Sequence, residues 1–301
     1  MSLSTTIKDK INTFYEKVLN YAFNHWGKYM TDSLLLKVRY RIIFHYPLNL
    51  KKVSTFNEKL QWLKLNDRKE IYHTMADKYE ARSFVKEKIG EDYLVPLLEV
   101  WEKPEEVSIE ALPKEFVLKC THDSQSIVIC KDKETLDVQK AIEMLGQGLK
   151  VNYYALGREW AYKGIHPKIV AEKLLVDESG DDLKDYKVFC FHGDPKFIQI
   201  DYDRFKGHKR RFYSTEWEKL DFKITYEDDK SLVMPRPGCL QEMLEVSRKL
   251  AKDVPFLRVD WYIVGNKLYF GEMTFYPGCG FEPIEPYSKD IEWGTWISVG
   301  E

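Results

Sequence analysis

The amino-acid sequence predicts an α+β protein with a helical N-terminal region. Apolar residues recur at three- and four-residue spacing near the start of the chain, which is typical of amphipathic helices. Short runs of β-branched and aromatic residues dominate the second half, and one long helical segment interrupts them. Because strands and helices do not alternate strictly, the pattern argues against a doubly wound parallel sheet.

Three helical segments are expected near the N-terminus. Apolar side chains recur at helical spacing in residues 7–22 and 34–44. Pro47 closes the second segment, because the residue before a proline avoids the helical conformation. A third segment spans residues 56–65. We therefore predict a helical N-terminal region over residues 1–76.

A smaller lobe is expected over residues 77–176. It begins with a helix that ends at Gly90, a residue type that tolerates the positive φ common after helix C-termini. Two β-branched runs, residues 116–120 and 126–130, are separated by a polar turn and predict a hairpin. A helix is expected after this hairpin.

The remaining residues, 177–301, predict a strand-rich lobe with one long helix over residues 240–252. The polar residues 227–230 are expected to form a flexible loop. The predicted strands, including the last one of the smaller lobe, are residues 169–176, 186–192, 196–202, 210–214, 257–264 and 268–274.

Composition excludes several classes of protein. Lys plus Arg number 46 against 48 Asp plus Glu, a formal net charge of −2, so no overall field attracts nucleic acid or a membrane surface. The locally basic residues 201–213 favour a contact of Arg204 and Arg211 with phosphate or a carboxylated acceptor over nucleic-acid binding. No apolar run is long enough for a transmembrane segment, and five scattered cysteines fit a reducing cytoplasm.

The most informative pattern is a hairpin over residues 258–274 that turns at a Gly-Asn pair. A two-residue turn would pair Glu272 with Val259, whereas a three-residue loop would place Asp260 opposite Glu272, and we favour the second register. Its other face would carry Val259, Trp261, Ile263, Tyr269 and Met273. Facing carboxylates repel unless a cation lies between them, so the pair fits a Mg²⁺ site; a solvated charged face fits the spacing equally well.

Three lysines on separate predicted elements offer positive charge to a polyphosphate. Lys78 lies at the start of the helix expected after Asp77, Lys119 lies within a strand of otherwise apolar residues, and Lys187 belongs to a strand of the second half. The loop after the strand of Lys119 contains no glycine, so Ser124, Gln125 and Ser126 are left to donate hydrogen bonds to phosphate.

Several segments, taken in order, resemble the TupA-like branch of the ATP-grasp enzymes, which is linked to cell-surface polysaccharide synthesis. The segments that carry this resemblance are residues 55–64, 76–82, 116–119, 170–175, 186–193, 201–213 and 258–275. The resemblance implies an ATP-grasp fold with ATP and Mg²⁺ as cofactors. It also implies that residues 77–176 form the small lobe with the adenine hinge and that residues 177–301 form the catalytic lobe.

The resemblance assigns nucleotide contacts to residues of the small lobe. Lys78 and Lys119 match positions that contact phosphates in the family. Glu172 would accept a hydrogen bond from adenine or ribose, and the backbone from Lys173 to Leu175 would bind the adenine edge.

The resemblance also assigns metal ligands and catalytic residues. Asp260 and Glu272 match the family's metal ligands, and Thr274 stands where many ATP-grasp enzymes have asparagine. The expected catalytic residues are Lys187, Arg211 and Arg258.

The function implied is ATP-dependent carboxylate–amine ligation through an acyl phosphate. The expected partners are a small-molecule or glycan acceptor that carries a carboxylate, and an amine co-substrate. Two alternatives stay open: a phosphotransferase acting on a sugar hydroxyl, and a non-catalytic carbohydrate- or nucleotide-binding protein. The second alternative draws on the glycine-free loop and on the 19 tyrosines and 8 tryptophans.

Overall fold

The computed structural model describes residues 27–123, 125–176, 183–203 and 207–300. The helix predicted over residues 7–22 lies outside these ranges, and so do Ser124 and Arg204. Within the described ranges, no helix is both long and apolar enough to cross a membrane. All five cysteines carry free thiols.

The helices confirm the expected character of the N-terminal region as far as it is described. The α-helices of the described residues are α1 (Asp32–Phe44), α2 (Phe56–Asn66), α3 (Ile71–Ala76), α4 (Ala81–Ile89), α5 (Val138–Gly148), α6 (Tyr153–Gly157), α7 (Leu240–Leu250) and α8 (Tyr287–Thr295). A capping box begins α2: the Thr55 hydroxyl accepts from the Glu58 amide, and the Glu58 carboxylate accepts from the Thr55 amide.

The strands form two larger antiparallel sheets and a two-stranded ribbon of β9 and β12. They are β1 (Leu97–Trp101), β2 (Phe116–Cys120), β3 (Ile127–Cys130), β4 (Ile169–Lys173), β5 (Asp185–Phe191), β6 (Asp194–Tyr202), β7 (Lys209–Ser214), β8 (Lys219–Leu220), β9 (Lys223–Ile224), β10 (Phe256–Val264), β11 (Lys267–Thr274) and β12 (Ile284–Glu285). Four of them, β1, β8, β9 and β12, were not predicted. Three of these four have only two residues, too few to show a period.

The smaller sheet has the strand order β1-β4-β2-β3. Its outer face is apolar: alternate residues of β2, namely Phe116, Leu118 and Cys120, lie on this face and pack with Leu145 of α5. The intervening residues, including Lys119, lie on the opposite face. Because one face of β2 is apolar and packs on α5, Lys119 points to the other side of the sheet.

The larger sheet has the order β11-β10-β5-β6-β7-β8 and divides its two faces between different neighbours. One face packs on α7, where the buried Trp261 indole donates to the Ser247 hydroxyl at 2.8 Å. On the other face, Phe191 and Phe256 pack against Phe56 of α2 at one end of the strands. The far end of that same face is charged, and it holds the site described below.

Candidate active site

Hairpin β10–β11 brings together the two carboxylates that were predicted to face each other. Asp260 pairs with Glu272 across the strands, which confirms the expected register. The predicted three-residue loop is wrong, however, because Val264 pairs with Lys267 across a two-residue turn. Between Asp260 and Trp261 the pairing shifts by one residue, and this β-bulge restores the register.

Gly271 is the extra residue of this bulge, since Trp261 pairs with Phe270 and Asp260 with Glu272. A Cβ atom at position 271 would lie 3.1 Å from the carbonyl oxygen of Asp260, closer than most real contacts. The close approach of the two backbones at the bulge therefore favours glycine.

The bulge also corrects the predicted core face of β11. Tyr269 was expected to lie in the core, but it pairs with Tyr262 on the site side of the hairpin. Leu268 and Phe270 are buried instead. A shift of one residue exchanges the two faces of a strand, so the missed bulge accounts for this error.

Arg258 supplies positive charge between the two carboxylates. Its guanidinium donates to both oxygens of Asp260, at 2.7 and 2.6 Å, and to Glu272 Oε1 at 3.2 Å. The same group donates to the Thr274 hydroxyl at 3.0 Å, and that hydroxyl lies 3.1 Å from Glu272 Oε1. Arg258, Asp260, Glu272 and Thr274 thus form one hydrogen-bonded group on a single face.

Lys187 extends this group to the neighbouring strand. It lies opposite Asp260 in the sheet, and its ammonium is 2.9 Å from Asp260 Oδ2, 3.3 Å from Asp185 and 3.7 Å from Asp201. Burial alone would lower the pKa of Lys187, but the surrounding carboxylates raise it above its ordinary value. The side chain therefore stays a cation.

Arg210, not Arg211, is the arginine that joins this face. Arg210 Nε donates to Asp201 at 2.7 Å. Arg211 lies on the opposite face of β7, where it binds Asp228 at 2.7 Å and the carbonyl oxygens of Asp229 and Leu232. The prediction that Arg211 belongs to the catalytic group is therefore corrected, because adjacent residues of a strand point to opposite faces.

Lys78 connects the charged face to the smaller lobe. Its ammonium lies 3.1 Å from Glu272 Oε2 and also donates to the carbonyl oxygen of Asp123, in the loop after β2. Burial alone would raise the pKa of Glu272, but the positive charges of Lys78 and Arg258 lower it well below its ordinary value. The ionised Glu272 thus ties both parts of the site together.

The smaller sheet carries a second, smaller ionic group. Lys119 Nζ lies 2.6 Å from Glu172 Oε2, and Arg82 of α4 lies 3.5 Å from the other Glu172 oxygen. All three side chains are largely buried. The structure therefore brings together two of the predicted nucleotide-binding residues, Lys119 and Glu172, and adds Arg82, which the sequence interpretation missed.

The predicted adenine hinge lies just beyond this group. Strand β4 ends at Lys173, whose amide donates to the Pro96 carbonyl at 2.9 Å and whose side chain is exposed. Leu175 is half-buried and lies outside the sheet. The hinge residues contribute no side chain to the charged cluster.

The loop after β2 is held by its own side chains. Asp123 accepts from the Ser126 amide at 3.2 Å and from the Ser126 hydroxyl. Both residues are buried. Ser126 therefore donates to a protein carboxylate here, whereas the sequence predicted that it donates to phosphate; its role as a nucleotide ligand stays a prediction.

Helix α2 holds a second loop of the site through residues that the sequence interpretation did not single out. Gln61 and the fully buried Lys64 both donate to the Cys279 carbonyl, at 3.2 and 2.7 Å. Lys64 also donates to the Gly157 carbonyl at 2.9 Å, and Asn57 donates to the Glu282 carbonyl at 3.1 Å. Asn57, Gln61 and Lys64 stand at positions i, i+4 and i+7 and therefore share one helix face. This spacing could have indicated that the three side chains act together.

The oxygen donors of the hairpin fit a magnesium ion. Asp260, Glu272 and the Thr274 hydroxyl lie on one face, and Mg²⁺ uses one or two protein carboxylates and completes its shell with phosphate and water. In the part of the chain that the structure describes, no cluster of three or more His, Cys, Asp or Glu residues could hold a metal ion. A closed cage built only from protein carboxylates is thus not present there.

Several solved structures are similar to this chain. The D-alanine–D-alanine ligase of Helicobacter pylori has 15% identity and a TM-score of 0.43, over 82% of this chain and 70% of that one. The corresponding Bacillus anthracis ligase, complexed with ATP, has 13% identity and a TM-score of 0.39, over 67% of this chain and 54% of that one. This chain therefore spans about half the length of the Bacillus anthracis ligase.

A third structure is the ATP-grasp ligase PsnB complexed with a phosphomimetic precursor variant, Mg and ADP, with 9% identity and a TM-score of 0.41, over 79% of this chain and 66% of that one. Curated proteins give no sequence match. Residues 58–298, by contrast, match the family described as TupA-like ATPgrasp. Because that match covers most of its length, this chain belongs to the TupA-like ATP-grasp family.

Proposed function

We propose that this protein is an ATP- and Mg²⁺-dependent carboxylate–amine ligase that acts through an acyl phosphate. The observation that carries the proposal is the contact of Lys78 with both Glu272 and the loop after β2. This contact joins the face that would hold a metal ion to the loop that would cover phosphates. Buried charges cluster in this way more often at functional sites than elsewhere.

The nucleotide would lie against the smaller sheet and its hinge. Lys119 and Lys78 would contact the phosphates, Ser124 and Ser126 would donate further hydrogen bonds, and Glu172 would orient Lys119 as well as accept from adenine or ribose. The backbone from Lys173 to Leu175 would bind the adenine edge. Support comes from the 2.6 Å contact of Lys119 with Glu172, which fixes the ammonium on the inner face of the sheet.

Asp260, Glu272 and Thr274 would hold Mg²⁺. When bound, the ion neutralises charge on the phosphoryl oxygens and so lowers the barrier to attack. Arg258 contacts all three of these residues, so its guanidinium would orient them for the ion. Lys187 would hold Asp260 ionised from the other side.

The reaction has two displacements. A carboxylate oxygen of the acceptor attacks the γ-phosphorus of ATP, the bond to the bridging oxygen breaks, and ADP leaves. The amine then attacks the carbonyl carbon of the acyl phosphate, and phosphate leaves with the bond electrons. Lys187, Arg258 and Arg210 would stabilise the negative charge that develops on the transferred group, because cations act strongly in a site from which water is excluded.

The acceptor is proposed to be a carboxylated sugar or glycan, and the amine an amino acid or a related compound. Membership of the TupA-like family supports this role in cell-surface polysaccharide synthesis. We place the reaction in the cytoplasm, where ATP is available. These assignments rest on the family and not on a contact in the structure.

The proposal is tested by incubating the protein with ATP, Mg²⁺ and pools of uronic acids and amino acids. Phosphate release is followed, and products are identified by mass spectrometry. An amide with stoichiometric ADP and phosphate is the expected result, and Asp260→Asn should abolish it. A phosphorylated sugar would instead identify a phosphotransferase. Binding of Mg-ATP without turnover on any pool would favour a non-catalytic binding protein.

A further inference from the structure

A cavity of about 240 Å³ lies at the loop after β2, and the proposed nucleotide site does not use it. Its wall includes His122, Lys150, Val151, Asn152, Tyr153 and Tyr162. The volume suits a small metabolite, and the wall combines aromatic rings with a cation and polar groups. Pockets with a few polar groups among apolar ones are typical of small-molecule sites.

One wall of this cavity is connected to the charged cluster through the loop after β2. His122 directly precedes Asp123, whose carbonyl oxygen accepts from Lys78, the partner of Glu272. On another wall, burial and the negative charges of Glu159 and Glu272 raise the pKa of Tyr162 well above its ordinary value. The Tyr162 hydroxyl therefore keeps its proton, while the contacts of Lys78 with Asp123 and Glu272 link the loop that carries His122 to the charged cluster.

His122 presents an acceptor that has no partner. Its Nε2 lies 3.1 Å from the Val151 carbonyl oxygen, and a carbonyl can only accept, so Nε2 carries the ring hydrogen. Nδ1 is then a bare acceptor; it is buried and has no hydrogen-bond partner among the described residues. A buried polar atom without a partner costs about 1–3 kcal/mol unless a ligand satisfies it.

Burial favours the neutral form of the His122 ring. Burial lowers the pKa of His122, and Lys78 acts in the same direction, whereas Asp123, Asp77 and the Val151 carbonyl oppose them. A neutral imidazole can receive a proton at neutral pH.

Lys150 and the aromatic rings complete a set that matches a zwitterion. Lys150 is exposed, and no carboxylate in the described ranges pairs with it, so its ammonium can bind a ligand carboxylate. The rings of Tyr153 and Tyr162 can contact an ammonium through their faces. The bare Nδ1 of His122 can accept a hydrogen bond from the same ammonium.

We propose that this cavity binds the amine co-substrate as a zwitterionic amino acid and that Nδ1 of His122 accepts a proton from its ammonium group. The inference rests on the proposed ligase function and assigns the binding site and the proton acceptor of the second displacement. One proton passes from the ammonium to Nδ1, and the amine nitrogen forms a bond to the acyl carbon. The bond to phosphate breaks, and the second amine proton leaves with that phosphate.

Occupancy of the cavity is tested by saturation-transfer NMR with an equimolar mixture of the twenty standard amino acids and protein saturated with Mg-AMP-PNP. Signals from at least one amino acid are expected with the wild type, and Lys150→Ala should weaken its binding about tenfold. Val151→Trp should abolish the signals because an indole would fill the cavity. Val233→Trp, at a site that is 85% exposed, is the matched control and should retain them.

Binding of AMP-PNP is measured in each variant, so a failure of the nucleotide site is seen separately. An absence of amino-acid signals with the wild type would overturn the proposal even if AMP-PNP binds normally. Signals that persist in Val151→Trp would overturn it as well, because the amino acid would then bind elsewhere.

The role of His122 is tested with His122→Gln. The glutamine amide can still donate to the Val151 carbonyl, but it offers no atom in place of Nδ1. The uronic-acid pool is supplied with two nucleophiles: the amino acid found above, which needs a base, and hydroxylamine, which is already largely unprotonated at neutral pH. Amide formation should fall about 10²–10³-fold, and hydroxamate formation much less.

Equal losses of amide and hydroxamate in His122→Gln, with AMP-PNP binding intact, would assign His122 to the first displacement and overturn its role as proton acceptor. Unchanged amide formation would overturn it too. If the wild type forms no hydroxamate from any uronic acid, the proposed ligase function fails, whereas the NMR experiment still decides whether the cavity binds an amino acid.

Discussion

The two sheets carry their buried charges in different proportions. On the larger sheet, the four strand carboxylates Asp185, Asp201, Asp260 and Glu272 contact four cations: Lys78, Lys187, Arg210 and Arg258. Arg210 also contacts Glu282, which lies outside the sheet, at 3.4 Å. On the smaller sheet, Glu172 is the one carboxylate among the described residues that forms an ion pair with Lys119 and Arg82. The larger sheet is thus balanced, whereas the smaller sheet has a positive surplus that suits phosphate.

This difference suggests how the two parts would cooperate. A metal ion at Glu272 would replace the charge that Lys78 supplies there and would leave Lys78 to contact a phosphate. The smaller sheet would attract the nucleotide without such an exchange, because its surplus is already present. The predictions below alter one part at a time and are arranged from the largest expected effect to the smallest.

The largest effect is expected from Glu272→Gln, which removes the carboxylate at the junction of the two parts. Turnover should fall about a thousandfold, because a bound metal ion contributes several kcal/mol to the stabilisation of the transition state. Phosphate release at saturating ATP measures this effect. Glu245→Gln, on the exposed side of α7, is the control. Turnover within tenfold of the wild type would show that Glu272 is not a metal ligand.

Removing a carboxylate from the larger sheet should also lower the stability of the protein. Asp260→Ala leaves Lys187 and Arg258 buried beside too few carboxylates, and we expect a loss of about 3–5 kcal/mol in the free energy of unfolding. Asp194→Ala removes a half-exposed partner of Lys196 and should cost less than about 1 kcal/mol. Urea denaturation compares the two variants. Equal losses would mean that the balance of charges on this face does not matter for stability.

Much of this arrangement could be predicted, because it depends on local patterns. The alternation of β2 placed Lys119 on the inner face, and the spacing in hairpin β10–β11 suggested that Asp260 faces Glu272. The bulge at Gly271 could not be predicted, since a loop of three residues and a bulge give the same pairing at Asp260.

Other features depend on partners far along the chain. Arg210 and Arg211 are adjacent, and only the pairing of β6 with β7 decides which one faces Asp201. The contacts of Lys64 lie at positions 157 and 279, so its spacing alone did not reveal what it binds. The cavity lined by His122 and Lys150 is likewise formed by segments that meet only in the folded chain.

Lys64 differs from the cations of both sheets, because its hydrogen-bond acceptors are neutral oxygens and not carboxylates. Burial lowers its pKa to about 8, below the ordinary value near 10.5. Between these two values the unfolded chain binds more protons, so stability should rise with pH. The unfolding free energy of the wild type relative to Lys64→Met should increase by about 1.5 kcal/mol from pH 8 to pH 9.5.

Denaturant titrations at several pH values measure this difference, with the exposed Lys37→Met as the control. A constant difference between the wild type and Lys64→Met across this range would contradict the lowered pKa. The comparison with Lys37→Met separates the effect of Lys64 from the titration of other groups in the same range.

The smallest effect is expected from Lys119→Ala, which tests whether the positive surplus of the smaller sheet binds phosphate. The fold should stay intact, because Glu172 keeps Arg82 as a partner at 3.5 Å. The Kd for Mg-ATP should rise about tenfold, equivalent to 1.4 kcal/mol, since one charge-assisted contact is lost. At a fixed ATP concentration, the rise in melting temperature caused by Mg-ATP should then be about 2 °C smaller than in the wild type. Lys131→Ala, exposed just beyond β3 of the same sheet, is the matched control. If Mg-ATP raises the melting temperature of both variants as much as that of the wild type, the positive charges on this sheet serve only to hold Glu172, and the phosphates are bound elsewhere.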